Sequence, residues 1–371
     1  MRTLILSCNT GAGHNSCAKA LQETFTAHGE VCDIIDALQF ISERASQFIS
    51  NWHTRIYLYA PKLFKAGYQG AENHDSLFRE GTGIYKFLTC GADRMYDYIV
   101  EGEYDNIICT HVFPALAITE MLERHPSMRI TTSFISTDYT CSPGVGELDM
   151  DGYCIPHPAL LEEFAAAGLD PSRLHATGIP VSPDFIRPLD KQTARRALHL
   201  ENKRHVVVLA CGSMGAGPMR SAAEKIAREL SPSEDKLVMV CGSNRRLYRS
   251  SKLTLEEYPQ IQVVGFTKRM PLYLHGCDAL VTKAGGLTTT EAVAAGVPLL
   301  YLDAVPGCET RNLEFMSSRG YALAAAYEAA LPPLIRGLFS GAIDPETMLR
   351  NREKTFPRDA AKAICTLVCP A

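Results

Sequence analysis

Short apolar runs alternate along this chain with stretches whose apolar residues recur three and four apart. These are the periods of buried strands and of packed helices. Residues 3–7 read as a strand, and 16–28 as a helix that Gly29 stops. Residues 31–35 form the next strand, and two or three aromatic-rich helical stretches fill 37–100. Residues 106–110 are a strand, 111–125 a helix and 129–135 a strand, with short strands at 152–155 and 174–177. A break follows at Gly178-Ile-Pro-Val-Ser-Pro183, and the chain stays polar and basic to Arg204. The alternation then restarts. Residues 205–211 are continuously apolar, as in a strand buried on both faces. A helix to about Leu230 and strands at 237–241, 261–264, 279–281 and 299–302 complete the second set, and 358–368 has a helical period.

The pattern predicts an α/β protein of two doubly wound, Rossmann-like domains. Residues 1–183 form the first and 184–345 the second, with 346–371 a C-terminal helix that packs back toward the first. Sheets of this kind bind ligands beyond the carboxyl ends of their strands, so the two halves are expected to face one another across a cleft. A chain of 371 residues is long enough for two such cores. The net charge of −4 gives no bulk attraction to nucleic acid, and none is expected as a partner. The thirteen cysteines are scattered, without a C-x-x-C pair or a zinc spacing, and read as reduced thiols in the cytoplasm. The N-terminal apolar run is too short for a signal peptide, and no run approaches a membrane span, which suits a soluble or surface-bound protein.

The chemistry begins after the strand at 279–282, with Lys283-Ala-Gly285-Gly286-Leu-Thr288-Thr289-Thr-Glu291. A glycine turn into a helix aims unpaired backbone N–H groups at one spot, which favours phosphate. Glu291 cannot bind phosphate but can accept hydrogen bonds from sugar hydroxyls, so the pair describes a nucleotide-sugar site. Five further stretches follow strands. In Asn9-Thr-Gly11-Ala-Gly13-His14 the glycines let the backbone approach a ligand, and His14 at a helix start is either a neutral base or a capping residue. Asp138, after the strand ending at Ile135, either orients His14, binds a hydroxyl or caps a turn. Gly212 and Ser213 lie in a three-glycine turn suited to a phosphate or simply to a tight bend. Asn244 and Arg245 suit a diphosphate or a solvated basic turn. Phe266 and Met270 either flank a base or pack in the core, and Glu309 and Asn312 hold sugar hydroxyls or cap a helix.

In this order the six stretches resemble the GT-B glycosyltransferases of family 28. The likeness is greatest to the branch of monogalactosyldiacylglycerol synthases and processive diacylglycerol glucosyltransferases. The resemblance is carried by Gly11-Ala-Gly13-His14-Asn-Ser-Cys-Ala18 and by the run from Gly265-Phe266 to Asn312. It implies Glu291 on the ribose, Gly285, Gly286, Thr288 and Thr289 on the diphosphate, and Phe266 and Met270 beside the uracil. Glu309 and Asn312 would face the donor sugar; Gly212, Ser213, Asn244, Arg245 and Lys283, read from their places after strands, complete the candidate donor set. His14 would be the candidate base or at least an essential cleft residue, Asp138 the second catalytic residue, and Gly11 and Gly13 the acceptor-side loop. Two departures stand out: Cys308 replaces the Gln usual before the sugar-binding Glu, and Thr140-Cys-Ser-Pro-Gly144 lacks the usual His and aromatic residues.

The implied reaction is an inverting transfer of a hexose from UDP-glucose or UDP-galactose to a lipid acceptor, diacylglycerol, giving a glycoglycerolipid, with no cofactor or metal. Such an enzyme would be cytoplasmic and peripheral on the anionic inner face of the membrane. Between Phe40 and Tyr98, Trp52, Tyr57, Tyr59, Phe64, Tyr68, Phe78, Tyr85 and Phe87 interleave with Lys62, Lys65, Arg79 and Lys86, as an interfacial surface or an ordinary helical core would. A different lipid or a soluble acceptor, a nucleotide-sugar epimerase of the same architecture, and a non-catalytic sensor are the competing readings.

Overall fold

The computed structural model describes residues 1–9, 12–42, 75–303, 307–325 and 328–369. The chain divides into two compact units, each with its own parallel sheet. The first comprises Met1–Ser182 with Pro306–Cys308 and Pro357–Ala371, the second Pro183–Val305 with Glu309–Phe356.

In the first unit β1 (Arg2–Ser7), β2 (Val31–Asp36), β3 (Asn106–Cys109), β4 (Thr131–Ile135), β5 (Gly152–Cys154) and β6 (Leu174–His175) form one sheet in the order β2-β1-β3-β4-β5-β6. Every neighbouring pair is parallel. Its helices among the described residues include α1 (Ala12–Ala27), α2 (Gly83–Thr89), α3 (Ala92–Glu101), α4 (Val112–Arg124) and α5 (Leu161–Ala166). Helix α1 buries Cys17, Ala18, Leu21 and Phe25 and ends before Gly29, whose φ of +83° suits glycine; the Glu30 N–H then returns to the Phe25 carbonyl at 3.0 Å.

In the second unit α6 (Pro183–Ile186) and α7 (Lys191–Ala197) precede β7 (Val206–Ala210), α8 (Met219–Ala227), β8 (Lys236–Val240), α9 (Arg245–Thr254) and β9 (Ile261–Val264). After these come α10 (Met270–Gly276), β10 (Ala279–Lys283), α11 (Gly286–Ala294), β11 (Leu299–Asp303), α12 (Cys308–Ser318), β12 (Leu323–Ala324), α13 (Leu331–Ser340) and α14 (Pro345–Glu353). The strand order is β12-β11-β10-β7-β8-β9, again all parallel. All five residues of β7 are buried, as its unbroken apolar run requires of a central strand. One core joins Val207, Leu209, Leu237, Met239, Val281 and Leu300 to the buried faces of α8 and α13.

The segment from residue 346 onward, expected as one tail, is divided. Helix α14 stays with the second unit, because the buried Arg352 guanidinium donates to the carbonyls of Tyr321 (2.7 Å) and Val297 (2.6 Å). The last helix, α15 (Ala360–Val368), packs on α1 in the first unit. The helix expected at 16–28 begins earlier, at Ala12, so Gly13 lies within its first turn.

Each sheet has one place where the chain crosses to the other side of its first strand, between β1 and β3 and between β7 and β10. Loops leaving the two strands in opposite directions open a crevice at their carboxyl ends, the usual seat of a ligand in doubly wound folds.

Candidate functional site

At the β1/β3 crossing stands His14, in the first turn of α1 and half-buried. Its Nδ1 lies 2.8 Å from the Thr110 carbonyl oxygen and 3.2 Å from Thr137 Oγ1. A carbonyl only accepts, so Nδ1 carries the proton and Nε2 keeps the lone pair. Burial holds the His14 pKa below its usual value, outweighing the negative charge of Asp138, which pulls the other way. The neutral ring with a basic Nε2 is the form a proton acceptor needs. Asp138, half-buried after β4, acts on His14 through its charge, and Thr137 beside it through contact. The loop after β1 is held by side chains: Ser7 Oγ donates to Asn15 Oδ1 (2.5 Å), Asn15 to Asn9 Oδ1 (2.6 Å), and Asn9 to Asp36 Oδ2 (2.8 Å). Gly11 lies outside the described residues, as do the aromatic and basic positions between 43 and 74.

His111 is the residue that the sequence reading passed over. It follows β3 as His14 follows β1, and its ring lies 4.5 Å from that of His14, edge to face at 75°. That both histidines follow strands was visible in the sequence; that the two strands are neighbours was not.

The β7/β10 crossing builds the second cluster. Strand β10 ends at Lys283, where its pairing with β11 slips by one residue. Lys283 Nζ pairs with the Glu309 carboxylate, both side chains being mostly buried. The lysine stem passes over Gly212, whose φ is +68°; a Cβ there would lie 3.1 Å from Lys283 Cε. Gly285 caps α11 with no side-chain partner, so the first N–H groups of Gly286, Leu287 and Thr288 point out of the helix beside this pair. Glu291 sits one turn further on, half-buried, its side-chain carboxyl without a hydrogen-bond partner among the described residues. Burial raises its carboxyl pKa to about 8. An unpartnered carboxyl in a crevice is costly to the apo protein and suited to a ligand that brings hydroxyl donors.

The neighbouring loops come together through glycine. The Ser243 N–H and Oγ both donate to the Ser213 carbonyl, at 2.8 and 3.1 Å, and Gly242 (φ +58°) permits this approach. Ser213 and Arg245 are exposed at these strand ends. Phe266, after β9, is 69% exposed, far more than a core ring would be, while Met270 is half-buried at the start of α10.

Three of the expected donor residues have their side chains engaged inside the protein. Thr289 is fully buried, with its hydroxyl 2.8 Å from Tyr301 Oη, because the fourth residue of α11 turns toward the sheet. Asn312 is also fully buried and donates to the Ala284 carbonyl at 2.9 Å, bracing the β10–α11 turn. Asn244 caps α9, accepting from the Leu247 N–H at 2.9 Å, and its amide reaches the Gly215 carbonyl at 3.4 Å. The chain also holds one Asp-x-Asp sequence, Asp149-Met150-Asp151. Asp149 pairs with Arg173 (2.6 Å), and Asp151 accepts from the Thr132 N–H and hydroxyl (2.8 and 2.9 Å). No group of three or more His, Cys, Asp or Glu among the described residues could hold a metal ion.

Residues 14–181 match the family described as monogalactosyldiacylglycerol (MGDG) synthase, and 206–329 match the glycosyltransferase family 28 C-terminal domain. The processive diacylglycerol beta-glucosyltransferase of Staphylococcus carnosus is 26% identical over 328 residues, covering 86% of this chain and 80% of that protein. Among solved structures, Acinetobacter baumannii MurG aligns with a TM-score of 0.62 at 14% identity, over 99% of this chain and 98% of its own. The UDP-GlcNAc 2-epimerase of Neisseria meningitidis aligns with a TM-score of 0.62 at 10% identity, over 99% of both chains. Such low identities speak for the fold, a pair of Rossmann-like domains of the GT-B kind, and leave the chemistry to the sites. With one family match on each structural unit, the chain belongs to the GT-B glycosyltransferases of family 28, in the branch of the MGDG synthases and the processive diacylglycerol glucosyltransferases.

Proposed function

We propose that this glycosyltransferase moves a hexose from UDP-glucose or UDP-galactose to a lipid hydroxyl, that of diacylglycerol, giving a glycoglycerolipid. Glu291 carries the donor half of this reading: an unpartnered carboxyl one turn past the bare N-terminus of α11 offers a ribose acceptor beside diphosphate donors. The likeness to the S. carnosus diacylglycerol glucosyltransferase supports the acceptor half. In the transfer, His14 Nε2 takes the proton of the acceptor hydroxyl. The new bond from that oxygen to the anomeric carbon forms as the bond to UDP breaks, from the opposite face, so the configuration inverts. Charge growing on the diphosphate is met by the Gly286, Leu287 and Thr288 N–H groups, with Arg245 and Lys283 nearby in the donor set, and the reading calls for no resident metal. No helix among the described residues is long and apolar enough to cross a membrane. In this reading the protein meets its lipid as a peripheral protein on the anionic inner face of the cell membrane.

The test is incubation of the pure protein with labelled UDP-glucose or UDP-galactose, with and without diacylglycerol vesicles. Label should pass into the lipid phase with one of the two donors. Conversion of the nucleotide-sugar at a rate indifferent to lipid would point to an epimerase and overturn the reading.

A further inference from the structure

Thr110 and His111 are consecutive, and both act on the same ring. Thr110 fixes His14 Nδ1 through its carbonyl, and His111 lays its imidazole against the His14 ring with centroids 4.5 Å apart. His111 is itself locked in place. It is the N-cap of α4, in extended backbone (φ −149°, ψ 151°), with Nδ1 accepting from the Phe113 N–H at 3.0 Å. Phe113 packs against it with ring centroids 4.4 Å apart. Accepting at Nδ1 requires that nitrogen to be unprotonated, so the His111 proton sits on Nε2 and the ring is neutral. The positive end of the α4 dipole favours the same neutral state.

We propose that His111 is a positioning residue for His14: its neutral ring holds the His14 imidazole against the Thr110 carbonyl, so that Nε2 is presented, poorly hydrated, to the acceptor hydroxyl. This rests on reading His14 as the base. Protonating His111 would turn its Nδ1 from acceptor to donor, break the α4 cap and set a cation beside His14. The charged group acting on His14 from the loop after β4 is Asp138, which draws a proton onto His14 while burial resists it. Acid therefore disables the pair at two sites, by protonating His14 and by protonating His111.

Two variants separate the ring from the cap. His111→Asn keeps a good N-cap acceptor and removes the ring. Its kcat should fall roughly 10- to 100-fold, the scale of a misplaced catalytic group, while KM for the UDP-sugar stays within about twofold. His111→Phe keeps a ring and removes the titration. The acid limb of log kcat/KM against pH should be steeper than one proton in the wild type and close to one proton in this variant. The deciding measurement is imidazole 15N NMR of His14. The wild type should show a single tautomer with Nε2 unprotonated, and His111→Asn a mixture of tautomers with a pKa nearer the ordinary imidazole value. An unchanged His14 tautomer and pKa in folded His111→Asn would overturn the proposal whatever the activity. Full activity in His14→Ala would instead remove His14 as the base, and the NMR result would still decide the positioning.

Discussion

With Glu291 on the ribose as proposed, its effects on fold and ligand are opposite. Its carboxyl titrates near 8 in the folded protein because burial disfavours the anion, against about 4.3 in an unfolded chain. Between those two values the unfolded state has lost a proton that the folded state keeps, so stability falls as pH rises through this window. Glu291→Gln should remove that dependence. The variant should gain nothing below about pH 4 and be more stable than wild type by on the order of 1–3 kcal/mol at pH 8, measured by denaturant titration at both pH values. The same variant should bind UDP-sugar more weakly, since an amide oxygen replaces a carboxylate that accepts from two hydroxyls. A tighter or unchanged donor affinity would take Glu291 off the ribose. Thr289 should behave in the reverse way. Its hydroxyl meets Tyr301 Oη in the core, so Thr289→Val should cost about 1–2 kcal/mol by stranding the tyrosine while donor affinity stays within about twofold. A large loss of affinity at unchanged stability would return Thr289 to the diphosphate.

Loops at strand ends tighten through glycine, and the same residue type carries different burdens at different turns. Gly296, which ends α11, has φ +68° with no atom within 4 Å of a built Cβ. Gly242, between β8 and α9, has φ +58°, and a Cβ there would fall 2.1 Å from the Ser213 carbonyl oxygen. Gly296→Ala should therefore cost only the left-handed backbone penalty of about 1–2 kcal/mol. Gly242→Ala adds a backbone clash that must part the β7 and β8 loops, and should cost more than about 3 kcal/mol, read by thermal unfolding of both proteins. Equal costs would mean that these loops yield. The same contrast marks what a sequence can reveal about this fold. The β7 run and the Gly285–Gly286 turn were legible because burial on both faces and a bare helix start each leave a local pattern. The inward turn of Thr289 and Asn312 was not, since a threonine run or a lone asparagine looks the same on every face of a short helix until the packing is known. The meeting of His14 with His111 depended on β1 and β3 being neighbours although β2 lies between them in sequence.

Across the whole molecule the two sheets repeat one construction with different chemistry at each crossing. The β1/β3 crossing carries a neutral imidazole and a carboxylate, groups able to move a proton. The β7/β10 crossing carries a lysine–glutamate pair, bare helix N–H groups and a buried carboxyl, groups suited to an anion and its hydroxyls. Because each unit has its own sheet, damage to the proton-moving cluster should leave donor binding intact. His14→Gln keeps a polar side chain of similar reach but no base. Its affinity for UDP, by calorimetry, should stay within about twofold of wild type. Its rate of lipid glycosylation should fall by roughly 10²–10⁴, the usual contribution of a positioned general base. A sensor that only reports nucleotide-sugar levels would show no transfer in either protein, and His14→Gln would then leave its output unchanged. An epimerase would convert the UDP-sugar without lipid. Loss of transfer with donor binding retained is the outcome that a transferase with separate proton-moving and donor-holding clusters requires.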